Sequence, residues 1–159
     1  EPKLRVIRLE RHALPSIYKN AIDIKDNDFG LIFSGTDVLV ISYGHLLHRA
    51  KKSIEEFNEN SKNKCGLIDL FSIKPISNKL IKEINKYKHI ITFEEQCING
   101  GFGSAVIEYL NDNDINIKVK RLALKEKYYF QNGGREFLLD NNNLSKKNLI
   151  TAIESFNNK

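Results

Sequence analysis

Four consecutive apolar residues, Val38, Leu39, Val40 and Ile41, stand out of a polar background. A run that short and that unbroken predicts a strand covered on both faces. After Gly44 the rhythm changes: Leu46, Leu47, Ala50, Ile54 and Phe57 recur at helical spacing, with Lys51, Lys52, Glu55 and Glu56 on the other side, the pattern of an amphipathic helix. GLIDLF at 66–71 is a second buried run, Pro75 closes the turn after it, and Leu80, Ile81, Ile84 and Tyr87 mark another helix with Ser77 as its expected N-cap. HIITF at 89–93 returns to a strand. A glycine turn then opens a helix carrying Ala105, Val106, Tyr109 and Leu110, and residues 115–124 form the next strand. A loop rich in aromatics and glycine follows, and a last helix spans roughly 145–156 with Leu149, Ala152, Ile153 and Phe156 on one face.

Strand and helix therefore alternate from Asp37 onward, with a short extra strand at Leu31 to Phe33. Such connections are right-handed crossovers onto a mostly parallel sheet, and the fold class is a three-layer α/β/α sandwich. The N-terminus does not fit this repeat. Leu4 to Leu9 (LRVIRL) alternates apolar and basic residues, the pattern of a strand with one covered face, and Pro15 cannot continue a ladder. We expect residues 1–11 to be the final strand of a preceding domain, residues 12–29 a linker, and residues 30–159 the α/β/α domain.

At 159 residues the chain can bury a real core without a disulfide or metal staple. No apolar stretch approaches the roughly 20 residues that span a bilayer, so no membrane partner is expected. Cys65 and Cys97 lack paired metal-ligand spacing and suit a reduced, cytoplasmic setting. The sequence has no methionine, so the chain is either processed or an excised piece of a longer one, and we expect the excised piece. The formal charge of +5 is spread among Asn, Asp and Glu, without stacking aromatics or a groove-entering element, so nucleic acid is not an expected partner.

The candidate chemistry is sparse. Gly100, Gly101 and Gly103 lie between a strand and a helix, where free amides and the helix dipole can receive an anion. The turn lacks the Lys-Ser/Thr ending of a nucleotide loop and the dinucleotide GxGxxG spacing, so a structural turn that brings helix close to sheet is the competing reading. Glu94 and Glu95 end a strand and point to opposite faces, which argues against an acid/base pair; one faces solvent and the other caps the glycine turn. His45 and His48 have helical i, i+3 spacing, but no third metal ligand can be named. Tyr128, Tyr129, Phe130 and Arg135 in KYYFQNGGREF form either a docking surface or a folded-back loop. No catalytic residue and no metal ligand is assigned.

Four segments in order resemble the carboxy-terminal part of transketolase-like thiamine diphosphate enzymes: GTDVLVISYG at 35–44, LIDLFSIKPI at 67–76, IITFEEQCINGGFGSAVIEYL at 90–110 and KYYFQNGGREFLL at 127–139. Members of that superfamily include transketolase, 1-deoxyxylulose-5-phosphate synthase and the β subunits of 2-oxoacid dehydrogenases. GGFGSAV and GGREFLL look most like the synthase or the smaller split transketolases. The resemblance implies a five-stranded sheet with one antiparallel strand and a domain that supports assembly, as a homodimer or heterotetramer. It also implies that thiamine diphosphate and Mg²⁺ are held by upstream diphosphate- and pyrimidine-binding domains, in the same chain or a separate subunit, and that this piece is inactive alone. The parent would transfer a two-carbon unit from an oxo donor to an aldehyde acceptor. IRLERHALP at 7–15 resembles the end of the pyrimidine domain, where an arginine after the strand binds a sugar phosphate, and Arg11 matches that position. The alternatives are a free-standing anion-binding or protein-interaction module and a dehydrogenase β-subunit domain.

Overall fold

The computed structural model describes residues 4, 6–20 and 28–157, the side chain of Asn157 excepted. Five strands, β1 (Gly30–Phe33), β2 (Val38–Ser42), β3 (Gly66–Asp69), β4 (His89–Cys97) and β5 (Lys118–Leu124), form one sheet in the order β1-β3-β2-β4-β5. β2 pairs in parallel with β3 and β4, β4 pairs in parallel with β5, and β1 lies antiparallel on the outer edge of β3. The expected sheet, mostly parallel with one antiparallel strand, is present.

Alternation along β2 divides the core into two halves. Val38 and Val40 pack with α1 (Gly44–Asn60) and α5 (Lys146–Asn157), through Leu46, Leu47, Ala50, Ile54, Leu149 and Ile153. Leu39 and Ile41 point the other way, against α2 (Lys79–Ile84) and α3 (Phe102–Asp112), where Leu80, Ile84, Val106 and Leu110 meet them. Every residue of β2 is buried, as its continuous apolar run requires when helices cover both faces.

Several local expectations need correction. Residues 134–141, read from sequence as loop, form a helix, α4 (Gly134–Asn141). Its reason is tertiary: Leu139 enters the core, while Glu136 and Asp140, one turn apart, both receive the guanidinium of Arg49 on α1. Arg49 also donates from Nη1 to the Leu144 carbonyl at 2.7 Å. The fifth strand starts at Lys118 rather than 115. Ser77 is not the helical N-cap position of α2, which is Asn78; its hydroxyl accepts the Lys79 N–H at 3.3 Å one residue further out. No described residue among 4–9 lies in a strand, and Leu4, Val6, Ile7 and Leu9 are exposed. A strand needs a neighbour to satisfy its N–H and C=O groups, and none is adjacent among the described residues.

Candidate functional site at the carboxyl edge of the sheet

The carboxyl ends of parallel strands are where open α/β sheets gather ligand-binding groups. Here that edge collects the glycine turn after β4, the start of α1 after β2, the start of α4 and the segment around Glu10.

Glu94, fully buried near the end of β4, turns its carboxylate onto the first amides of α3. The Phe102 N–H donates to Oε2 at 2.5 Å and the Gly103 N–H to Oε1 at 2.6 Å. A helix N-terminus presents unpaired N–H groups and positive dipole, and an internal carboxylate has taken the place an external anion would fill. Burial raises the Glu94 carboxyl above its ordinary range, with the Gly103 and Phe102 amides pulling the other way. The glycines make the approach feasible. A Cβ on Gly101 would lie 2.2 Å from the Cys97 carbonyl oxygen and 2.5 Å from Glu94 Oε2. On Gly103 it would lie 2.5 Å from Thr92 Oγ1 and 2.7 Å from Glu94 Oε1. Gly100 has φ +69°, with open space around it.

Glu95 departs from the solvent-facing expectation. Arg135 grips it with two hydrogen bonds, Nε to Oε2 at 3.0 Å and Nη2 to Oε1 at 2.6 Å, while Nη1 donates to Glu10 Oε2 at 2.7 Å. A planar guanidinium fork suits such bidentate pairing. Arg135 Nη1 also lies 3.4 Å from His45 Nδ1, and His45 Nε2 is 3.1 Å from Glu136 Oε1. The tautomer with hydrogen on Nε2 donates to Glu136 and leaves the Nδ1 lone pair facing Arg135. Hydrogen bonding to Arg135 holds the Glu10 carboxyl at about 2, well below its ordinary 4.5. The His45 hydrogen bond, followed by Arg49, likewise lowers Glu136.

Both ring nitrogens of His45 are therefore engaged, and among the described residues no group of three His, Cys, Asp or Glu side chains converges as a metal site. Cys65 is buried, its thiol pushed up to about 12 by burial, and Cys97 is exposed. Arg11 is exposed in a bend beside Glu10, and no described residue pairs with its guanidinium. Tyr128 and Phe130 are 87% and 86% exposed with ring centroids 6.1 Å apart, while the Tyr129 hydroxyl donates to the Lys125 carbonyl at 2.9 Å. The four residues read together in KYYFQNGGREF thus separate: two rings stand in solvent, Tyr129 ties back its own loop, and Arg135 belongs to the ionic network.

The residues that sequence reasoning missed are Glu10 and Arg49, and with them the Glu10–Arg135–Glu95 link. Glu10 and Arg135 are 125 positions apart, and an exposed-looking charge carries no sequence signal of its distant partner. The glycine and carboxylate motif after β4 was visible, because its two halves are only eight and nine residues apart.

Residues 31–144 match the family described as transketolase, C-terminal domain. Over 113 residues the chain is 38% identical to a 1-deoxy-D-xylulose-5-phosphate synthase of Halothermothrix orenii, covering 65% of this chain and 18% of that protein. A synthase of the same name from Fusobacterium nucleatum is 33% identical over 153 residues, 94% of this chain and 24% of the relative. The chain thus spans about a fifth of the length of the curated relatives it matches. Among solved structures, a split gene transketolase described as an inactive beta4 tetramer superposes with a TM-score of 0.77 at 23% identity, covering 92% of this chain and 47% of that one. The sheet order, the two-sided core and the match over 31–144 lead to one conclusion: the chain belongs to the transketolase C-terminal domain family.

Proposed function

We propose that this chain is the assembly domain of a thiamine diphosphate-dependent, transketolase-like transferase that moves a two-carbon unit from an oxo donor to an aldehyde acceptor, and that it is inactive alone. The observation that carries this reading is the occupied N-terminus of α3: the domain's most ligand-like feature is satisfied by its own Glu94. On this reading a diphosphate and Mg²⁺ are not held at the α3 turn, whose first amides Glu94 already occupies. Both groups belong on this reading to upstream diphosphate- and pyrimidine-binding domains, in a cytoplasmic homodimer or heterotetramer. The names of the synthase relatives support the transferase class. The occupied turn disfavours a free-standing anion-binding module, and no observation favours a dehydrogenase β subunit.

Within that assembly Arg11 is the contact for a sugar-phosphate substrate. It stands exposed, with its guanidinium uncommitted among the described residues, and guanidinium geometry suits phosphate. Transfer should appear only when this chain is combined with the upstream domains, the cofactor and Mg²⁺; transfer by the chain alone overturns the reading. In the complete enzyme Arg11→Ala should weaken use of a phosphorylated acceptor roughly tenfold or more, and far more than use of an unphosphorylated one. Equal effects on the two acceptors reject the assignment of Arg11.

A further inference from the structure

One carboxylate joins the N-terminal segment to the ionic network at the sheet edge. Glu10 Oε1 accepts the backbone N–H groups of Arg11 at 2.9 Å and His12 at 3.3 Å, and its Oε2 accepts Arg135 Nη1 at 2.7 Å. The first pair of bonds shapes the bend from which the Arg11 side chain departs. The third bond fixes the carboxylate that shapes it. Arg135 in turn is anchored through both oxygens of Glu95 at the end of β4. A continuous chain of charge-assisted hydrogen bonds thus runs from the sheet to the backbone of Arg11.

The same arrangement decides where the negative charge of Glu10 goes. Adjacent to Arg11 in sequence, a Glu10 carboxylate without Arg135 is free to swing onto the Arg11 guanidinium and compete there with any anion. Paired with Arg135, it leaves Arg11 uncommitted. We infer that Arg135, acting through Glu10, is a positioning residue for the phosphate contact at Arg11; the inference rests on the reading of Arg11 given above. Arg135 touches no substrate on this reading. It holds the turn and keeps the neighbouring carboxylate occupied.

The test compares KM for a phosphorylated and an unphosphorylated aldehyde acceptor in the complete enzyme, for Arg11→Ala, Arg135→Ala and the double variant Arg135→Ala/Glu10→Gln. Arg135→Ala should raise KM for the phosphorylated acceptor by roughly three- to tenfold, and by a larger factor than for the unphosphorylated one. Adding Glu10→Gln should recover part of that loss, because the amide no longer competes as an anion while its oxygen can still accept the Arg11 N–H. A purely structural role predicts no such recovery. Equal effects on both acceptors, or a double variant no better than Arg135→Ala, overturn the inference. If Arg135→Ala does not fold, Arg135→Lys, which can reach only one of the two carboxylates, carries the same comparison. Should Arg11→Ala itself act equally on both acceptors, it is the Arg11 reading that fails. Should Arg11→Ala be selective and Arg135→Ala not, only the positioning role fails.

Discussion

Glu94 and Gly103 meet at the first turn of α3 so closely that the Gly103 N–H donates to the Glu94 carboxylate at 2.6 Å, leaving no room for a Cβ on the glycine. This contact fastens helix to sheet and occupies an amide that an external anion could otherwise use.

Gly103→Ala should destabilise the domain by about 1–3 kcal/mol, because the new methyl would lie within 2.5 Å of Thr92 Oγ1 and 2.9 Å of Arg121 Cδ. Gly100→Ala meets nothing within 4 Å but must adopt φ +69°, at a cost of about 1–2 kcal/mol. Urea denaturation of the two variants should therefore rank Gly103→Ala at least as damaging. The opposite ranking would show that backbone conformation, and not the tight fit against Glu94, decides the turn.

Glu94→Gln replaces one acceptor oxygen by an amide that must face a backbone N–H. A buried donor without an acceptor costs about 1–3 kcal/mol, so the melting temperature should fall by several degrees. Calorimetric titration of the unaltered chain with inorganic phosphate should show no saturable micromolar binding. Binding that vanished in Gly101→Ala would return the turn to the role of anion site.

Asp69 couples the N-terminal segment to the sheet through the Tyr18 hydroxyl, which donates to Oδ2 at 2.7 Å. Burial raises the Asp69 carboxyl to about 6 from its ordinary 3.8, with Tyr18 pulling it down. The folded protein therefore holds this proton more tightly than the unfolded chain does. Its contribution to stability is fully present below 3.8 and is lost as pH rises through about 6. Asp69→Asn should flatten that decline, a change of about 3 kcal/mol in unfolding free energy between the two ends of the window. Identical pH profiles for the two proteins would remove Asp69 as its source.

Glu10 behaves in the opposite sense. With its folded value lowered to about 2, chiefly by the Arg135 hydrogen bond, the stabilisation it provides is present above 4.5 and is lost as pH falls through about 2. Hydrogen exchange of the Arg11 and His12 amides should thus show the bend still formed at pH 4, whereas Glu10→Ala should expose both amides at that pH. Unchanged protection in Glu10→Ala would mean that other contacts hold the bend.

Tyr128 and Phe130 stand almost wholly in solvent, so replacing both with serine should alter unfolding free energy by no more than about 0.5 kcal/mol each. If the loop is an assembly surface, sedimentation should show weaker association with the upstream domains or with a second copy. Association as tight as that of the unaltered chain would leave the exposed rings without this role.

Much of the fold was legible because its signals are local. The Val38–Ile41 run, the helical spacing from Leu46 to Phe57 and the glycine turn each report burial or backbone freedom over a few residues. Residues 134–141 were not legible as a helix: they start at the second of two adjacent glycines, Gly133 and Gly134, and their order comes from Leu139 in the core and Arg49 on another helix. The segment expected as a strand at Leu4 to Leu9 has the right alternation, but among the described residues no strand lies beside it, and alternation alone does not supply the backbone partners a strand needs.

By itself the sequence determined the three-layer class, the mostly parallel sheet and the pairing of a glutamate with the glycine turn, since periodicity and short-range spacing suffice for these. Only the tertiary structure decided which glutamate caps the turn and which binds Arg135, and that Glu10 closes onto a residue 125 positions away. The reason is physical: burial pattern is written residue by residue along a chain, whereas the partner of a surface charge is chosen by which elements the folded sheet brings to the same edge.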